Sequence, residues 1–215
     1  MPAGDGAPEP ATGAVLDVGV ARGWLDAVEA ALVARAMGSP AASHGLGPDQ
    51  AAAGLAAVAA KFLAVGTPRT LGLVGVGRHA ARMVAAQIAY AAPRELRVYE
   101  PAPGAAEAVM AALVGELAAP RPSARAVDLR VACACDIVVV AGPVTIERAW
   151  IRAGTLVTVL DRQVVLDPAL LAAADVYTSG DAGPAGVRVH ATLAAVAAGL
   201  VDGRALDEII VLVAE

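Results

Sequence analysis

The chain has 215 residues, 58% of them hydrophobic and only 3% aromatic, and 55 are alanine. Its 16 basic and 21 acidic residues leave a formal net charge of −5. No basic excess is available to pair with phosphates, so we expect no nucleic-acid partner. No uncharged apolar run approaches about 18 residues, so we also expect no membrane span. The length fits one domain, with at most a short appendage.

The cysteine count and the N-terminus exclude further classes of protein. Cys133 and Cys135 are too few for a disulfide framework, and with three scattered histidines they predict no metal site. We expect both cysteines to pack beside a strand rather than to react. Residues 1–13 contain Pro and acidic residues but no basic stretch, so we expect a disordered tail rather than a signal peptide, and a cytoplasmic protein.

The first structured part of the chain is predicted to be helical. Residues 14–37 carry apolar side chains at helical spacing, including Trp24 and Leu32. A loop rich in Gly, Ser and Pro follows, and residues 49–64 then predict a second, alanine-rich helix. We expect residues 14–69 to form a helical segment ahead of the main domain. Its apolar helices need cover, either from that domain or from a second copy, which favours a homodimer.

From residue 70 onwards, short apolar strands alternate with helices, which is typical of a parallel sheet covered on both faces. We therefore predict a Rossmann-like, doubly wound α/β domain over residues 70–215, with right-handed crossovers and an N-terminal helical appendage. Strands are predicted at 70–75, 96–100, 124–127, 136–141, 155–160 and 176–179, helices at 80–91, 105–118, 168–174 and 192–200, and a closing apolar segment at 208–214.

A glycine-rich turn carries the strongest functional signal. Residues 75–80 read GVGRHA, a GxGxxA pattern that directly follows a predicted strand and opens a predicted helix. Gly75 would allow the tight turn, Gly77 would let a pyrophosphate approach the backbone, and Ala80 is small enough for close packing of helix on strand. Glu100 ends the next strand, where an acidic side chain binds the ribose hydroxyls and repels a 2′-phosphate. The pattern predicts NAD as the cofactor; the alternative is a glycine-rich turn that binds no dinucleotide.

Neighbouring residues are further candidates for the cofactor site. Arg78 would either contact a phosphate or be a solvated first-turn residue, and His79 would either take part in binding or simply pack at the surface. Gly142 and Pro143 follow the fourth predicted strand at the carboxyl edge of the sheet, where ligands lie in this fold. A small backbone turn there suits contact with a cofactor.

Two residues are candidates for acid–base chemistry. Asp161 follows the fifth predicted strand at the same edge, so its carboxylate could move a proton. Alternatively, it caps a turn ahead of Arg162. His190 lies beyond the sixth strand and is either a base or a residue that leads into the last helix.

The order of these motifs resembles the ornithine cyclodeaminase/mu-crystallin family from about Asp49 to the C-terminus. The helix at 25–36, LDAVEAALVARA, is similar to the first helix of that family. The stretches that carry the resemblance are AAAGLAAVAAKFLA (51–64), TLGLVGVGRHA (70–80), LRVYE (96–100), LDPALLAAADVYTSG (166–180) and GRALDEII (203–210). The resemblance implies hydride transfer between a nicotinamide and a carbon that bears nitrogen.

The chain also departs from the family pattern. Only 69 residues precede the loop strand, so we expect most of the family's substrate and dimerisation domain, with its catalytic lysine, to be absent from this sequence. The family's carboxylate-binding arginine would fall near Ala51, and its Lys-Ser pair near Val213 and Ala214. The only lysine, Lys61, lies in the connecting helix and cannot replace the catalytic lysine.

These departures limit the function that the resemblance implies. A buried carboxylate needs a cation, so ordinary ornithine cyclodeamination is not expected and the substrate should carry less charge. We expect an NAD(H)-dependent oxidoreductase or cyclase that acts on a small imine, amine or related carbonyl compound, with Asp161, His190 or water supplying the proton. The alternative is a repurposed family member that binds NAD or a hydrophobic ligand without redox turnover.

Overall fold

The computed structural model describes residues 15–39, 44–118, 121–180, 183–204 and 208–214, so the predicted tail over residues 1–13 lies outside it. The N-terminal part contains two helices, α1 (Val18–Ala36) and α2 (Pro48–Leu63). Asp17 caps α1, since its carboxylate accepts a hydrogen bond of 2.6 Å from the Gly19 amide. Pro48 occupies the first turn of α2, where its missing N–H leaves no intrahelical bond unmade.

The rest of the described chain alternates between strands and helices, as the sequence predicts. The elements are β1 (Thr70–Val74), α3 (Ala80–Tyr90), β2 (Glu95–Tyr99), α4 (Ala105–Glu116), β3 (Ser123–Ala126), α5 (Leu129–Cys133), β4 (Ile137–Val140), β5 (Thr145–Ile146), β6 (Leu156–Val159), β7 (Val165–Leu166), α6 (Pro168–Ala173), β8 (Ala174–Thr178), β9 (Val189–Thr192), α7 (Leu193–Ala197) and β10 (Ile209–Val213).

Eight strands form one parallel sheet in the order β3-β2-β1-β4-β6-β10-β8-β9. The chain runs outward from β1 through β2 to β3 and then returns to β4 on the other side of β1. The connections after β1 and β4 therefore leave in opposite directions, and the crevice between them lies at the carboxyl edge of the sheet. In open α/β sheets this switch point is where ligands bind.

Each face of the sheet buries its own hydrophobic core. One face packs against α1, α2, α3, α4 and α7. The other is covered by α5, α6 and the segment that contains β5. Because both faces are buried, the central strands are continuously apolar: all four residues of β4 and all four of β6 are buried.

The N-terminal helices share the first core rather than forming a separate unit. Trp24 of α1 is 4% exposed and Leu32 is 8% exposed. A side chain at Gly54 of α2 would lie 2.8 Å from the Trp24 carbonyl oxygen, so glycine lets the two helices approach closely. Lys61 binds Glu29 at 2.6 Å and ties the two helices together. The apolar faces of α1 and α2 are thus buried against each other and against the sheet of the same chain.

Three features differ from the sequence-based expectation. α5 was not predicted, because five residues are too few to show a helical period. β9 was not predicted either, and the helix expected at 192–200 covers only Leu193–Ala197. The short pair β5–β7 was also missed, since two residues per strand leave no pattern to detect. No helix in the described ranges has both the length and the apolar character that a membrane span requires.

Candidate dinucleotide-binding site

The turn between β1 and α3 follows the glycine pattern. Gly75 (φ +64°) and Gly77 (φ +50°) both adopt left-handed backbone conformations that favour glycine. The Gly75 amide donates a hydrogen bond of 2.9 Å to the carbonyl of Tyr99, which fixes the turn against the end of β2. A side chain at Gly77 would meet no atom within 4 Å, so the backbone there faces open space. This is the place where a ligand could approach the loop closely.

Gly142, after β4, packs directly on the first glycine of this loop. A Cβ atom at Gly142 would lie 2.9 Å from the Gly75 carbonyl oxygen, and one at Gly75 would lie 2.9 Å from the Gly142 Cα. Such distances are not tolerated, so both positions require glycine. The contact joins the ends of β1 and β4 at the switch point. Pro143 follows at an exposed position.

Glu100 lies against the glycine loop from the end of β2. Its Oε1 accepts a hydrogen bond of 2.8 Å from the Gly77 amide. Burial raises the pKa of the Glu100 carboxyl above its usual value, and the hydrogen bonds from the Gly77 and Val76 amides oppose that shift. A polar hollow of about 500 Å³ at the ends of β2 and β3 is lined by Glu100, Glu107 and Asp128. This hollow is strongly acidic, which disfavours a phosphate group beside Glu100.

The remaining loop residues have structural contacts. Arg78 is exposed, and its Nε contacts His79 Nε2 at 3.4 Å. His79 Nδ1 lies 3.1 Å from the carboxylate of Asp49, which links the loop to the first turn of α2. Ala80 is 1% exposed at the start of α3, as close packing of the helix on the strand requires.

A second cavity, of about 530 Å³, lies at the carboxyl edge on the other side of β1 from Glu100. We call it the helix-covered cavity. Its floor comes from the ends of β6, β8 and β10, through Leu160, Ser179 and Ala214, and its roof from α1 and α2. Ala51, where the family's arginine was expected, is part of the roof.

The polar side chains of the helix-covered cavity were not identified from the sequence as site residues. They are Ser179 after β8, Arg35 at the end of α1, His44 in the loop before α2, and Arg162 after β6. These residues are far apart in the chain, so no local motif could have connected them. Only the return of α1 and of the loop before α2 over the sheet edge brings them together.

Asp161 and His190 do not meet. The Asp161 carboxylate accepts a hydrogen bond of 2.8 Å from the Gln163 amide and so caps the turn after β6. His190 lies on the edge strand β9, where its Nδ1 is 3.8 Å from the Asp175 carboxylate and its ring centroid is 5.2 Å from that of Tyr177. Three strand spacings separate β6 from β9, or about 14 Å. Catalytic roles for these two residues stay predictions.

The cysteines are buried on the second face of the sheet. Burial raises the pKa of the Cys133 thiol to about 12, and the nearby Cys135 adds to that shift. Burial also raises the pKa of Cys135 to about 11. Thiols with such values remain protonated at neutral pH, so neither is a nucleophile. Within the residues that the structure describes, no group of three His, Cys, Asp or Glu is placed to hold a metal ion.

These features fit a dinucleotide. The backbone at Gly77 is open, Glu100 directly follows β2, and the ends of β1 and β4 lie between the acidic hollow and the helix-covered cavity. The strand order and the loop together define a Rossmann-like α/β domain. The model of the ornithine cyclodeaminase/mu-crystallin family matches residues 49–214, and the chain therefore belongs to that family.

Solved structures with the same fold match about three quarters of this chain, but the match covers a smaller share of their own length. The Δ1-pyrroline-2-carboxylate reductase of Thermococcus litoralis, solved with NADH and L-proline, has 21% identity and a TM-score of 0.66 over 77% of this chain and 58% of its own. A probable ornithine cyclodeaminase from Bordetella pertussis Tohama I has 26% identity and a TM-score of 0.64, over 77% of this chain and 59% of its own. The chain thus spans less than two thirds of these relatives.

An archaeal alanine dehydrogenase, a dimer with bound NAD, matches over a larger share. Its TM-score is 0.74 at 18% identity, over 93% of this chain and 86% of its own. No curated protein sequence is similar enough to count as a match.

Proposed function

We propose that the protein is an NAD(H)-dependent oxidoreductase or cyclase that acts on a small imine, amine or related carbonyl compound. The observation that carries this proposal is the open backbone at Gly77 beside the Glu100 carboxylate, with the helix-covered cavity at the same sheet edge. Membership of a family with a probable ornithine cyclodeaminase among its relatives supports the substrate class.

The chain's own groups divide into two sets along the sheet edge. The amides at the glycine loop would hold the phosphates, and Glu100 would bind the adenosine ribose and exclude a 2′-phosphate. The bound cofactor would supply hydride transfer at its nicotinamide. The helix-covered cavity would enclose the substrate and exclude water, because its walls are mainly apolar side chains of α1 and α2.

A proton must move when hydride is transferred to or from an imine. Asp161, after β6, remains the first candidate for the residue that moves this proton. His190 remains the second candidate, and it lies farther from the helix-covered cavity. His44 is better placed than His190 because it lines the helix-covered cavity. Its Nδ1 accepts a hydrogen bond of 3.3 Å from the Leu46 amide, which leaves Nε2 as the nitrogen that carries the proton in the neutral ring.

The test is cofactor binding to Gly77→Val, measured by calorimetric titration with NADH. The valine would place a branched side chain where a ligand approaches the loop and would strain the left-handed backbone, so binding should be abolished. Gly199→Val is the matched control, because Gly199 also has a positive φ (+68°) with open space around it but lies after α7.

Two results would contradict the proposal. The first is wild-type protein that binds neither NADH nor NADPH, which would favour a repurposed protein without redox turnover. The second is Gly77→Val with the affinity of the wild type, which would show that the loop is not the cofactor site.

We also propose that the protein is a homodimer, as the archaeal alanine dehydrogenase is described to be. Since α1 and α2 are covered within one chain, the proposal now relies on that relative rather than on their apolar faces. Light scattering should give about twice the chain mass of 21.3 kDa. A mass equal to one chain at micromolar concentration would refute the dimer.

A further inference from the structure

We infer that two copies of the chain associate through the exposed side of α4, with their α4 helices antiparallel across a two-fold axis. We call this surface the α4 patch. It consists of Met110, Ala111, Val114 and Leu117, together with Ala124 of β3. The inference rests on the proposed homodimer, to which it adds the contact surface, and it does not depend on the proposed cofactor.

The helix α4 is much more exposed than its sequence leads one to expect. It reads AAEAVMAALVGE, and Glu107 and Glu116 are its only charged residues. Only Val109 and Leu113 are buried, whereas nine residues of α2 and seven of α3 are buried. A helix that is apolar on nearly all sides is normally buried. The described part of the chain therefore leaves one side of α4 uncovered, and a partner would supply the cover.

The α4 patch contains both a groove and a projecting side chain. The groove has a volume of about 380 Å³, and it lies between α4 and β3, the outermost strand on this side of the sheet. Val114 is 63% exposed at the rim of the groove. Proteins normally cover or charge such an edge, because an edge strand can pair with another chain. A hollow and a projection on one surface allow it to contact a second copy of itself, as a two-fold interface requires.

The charges at the two ends of the α4 patch indicate that the partner is a second copy. Glu107, Ala111 and Val114 are exposed, and they lie on one stripe of α4 because they are four and three residues apart. Arg121 borders the groove at the other end, where its Nε donates a hydrogen bond of 2.6 Å to the Leu117 carbonyl oxygen. An antiparallel pair of α4 helices would bring each Glu107 opposite the Arg121 of the other copy. Such charge complementarity fixes the register of an interface.

This register also matches the sizes of the side chains near the axis. Glu107 and Leu117 are ten residues apart, or about 15 Å along the helix. With Glu107 opposite the Arg121 that contacts Leu117, Ala111 of one copy faces Val114 of the other. A small side chain would therefore lie against a projecting one, and the two Val114 side chains would lie within about one helical turn of each other.

The first test is the dissociation constant of the dimer, measured by analytical ultracentrifugation of the full chain. Val114→Glu should raise it at least about a hundredfold, because an unpaired carboxylate would be buried in an apolar contact. Its affinity for NADH should equal that of the wild type, which also shows that the variant is folded. Val165→Glu is the matched control, because Val165 is an exposed valine of β7 outside the α4 patch.

The second test is cross-linking of Val114→Cys with a short bismaleimide, analysed on a denaturing gel. The variant should form a covalent dimer, whereas Val165→Cys should not, because the two natural cysteines are buried. A charge exchange tests the register. Glu107→Arg should weaken the dimer, and adding Arg121→Glu should restore it.

A dimer that Val114→Glu leaves intact, or that Val114→Cys fails to cross-link, would overturn the α4 patch and leave the homodimer standing. Residues 1–14 or a different protein would then be the cover of α4. A wild-type monomer would overturn both proposals. Failure of a dimeric wild type to bind NADH would contradict only the proposed cofactor.

Discussion

Glu100 contacts the glycine loop at the place where the proposed cofactor would bind. Its Oε1 accepts the Gly77 amide, so it holds the loop in place before any ligand is bound. Its pKa lies above the usual value because it is partly buried. A bound ribose would donate hydrogen bonds from its hydroxyl groups to Glu100 in place of the Gly77 amide. A 2′-phosphate would instead place a second negative charge beside the Glu100 carboxylate.

Glu100→Gln should weaken the discrimination between NADH and NADPH. Removing the negative charge relieves repulsion of the 2′-phosphate, and two charges a few ångströms apart near a surface interact by about 1–4 kcal/mol. We therefore expect the ratio of the NADH to the NADPH affinity to fall by about tenfold or more. Titration with both nucleotides checks this, with Asp26→Asn on the exposed side of α1 as control. An unchanged ratio would show that Glu100 does not contact the ribose.

The raised pKa of Glu100 also predicts a pH dependence of stability. The folded state binds this proton more tightly than the unfolded state, whose pKa stays near 4.5. The contribution of Glu100 to the free energy of unfolding is therefore largest below the usual pKa and falls as pH rises through the raised folded value.

Urea unfolding of wild type and Glu100→Gln at pH 4 and pH 7 measures this effect. Glutamine stays neutral at both values, so the variant should gain stability relative to the wild type as pH rises. A stability difference that is the same at both values would contradict the assigned shift.

At the scale of elements, the contact between the β1 and β4 loops fixes the switch point. Gly142→Ala would press a methyl group on the Gly75 backbone, which cannot move without shifting the loop. We expect a loss of about 1–3 kcal/mol in the free energy of unfolding, as for other overpacked sites, and weaker NADH binding.

Gly115→Ala is the control variant, because a Cβ atom added at Gly115 of α4 would have no atom within 4 Å. It should stabilise the protein by roughly 0.5 kcal/mol or more. Urea unfolding compares the two, and equal stability of both variants would contradict the assigned close approach.

The sequence predicted the elements whose signals are local. Apolar runs bounded by polar or small residues predicted the strands β1, β4, β6 and β10. The glycines of GVGRHA predicted the turn after β1. α5 escaped prediction because five residues are too few to show a helical period. β9 (VHAT) lacks the continuous apolar run that β4 and β6 have at the same length, and it is defined by its pairing with β8 rather than by its own pattern.

The same distinction applies to the candidate site. Gly75, Gly77 and Glu100 meet across one β1–α3–β2 unit, so their spacing alone predicted their meeting. Arg35 and Arg162 are far apart in the chain, with the strands β1 to β6 between them. Only tertiary packing brings them to one cavity. The sequence could not show that Arg35, His44 and Arg162 line one cavity.

At the scale of the whole molecule, α1 and α2 cover the carboxyl edge of the sheet beside β6, β8 and β10. They share the core of the sheet's first face, and their ends roof the helix-covered cavity. The acidic hollow beside Glu100 and the helix-covered cavity lie on opposite sides of β1. A dinucleotide that crosses the switch point between them would have its adenosine at one and its nicotinamide at the other.

A crystal structure of the protein with NADH tests this account most directly. We predict that the pyrophosphate lies on the Gly77 backbone, that Glu100 accepts hydrogen bonds from the adenosine ribose, and that the nicotinamide opens into the cavity lined by Leu160. A nicotinamide that points away from this cavity, or NADH bound elsewhere on the protein, would contradict the account.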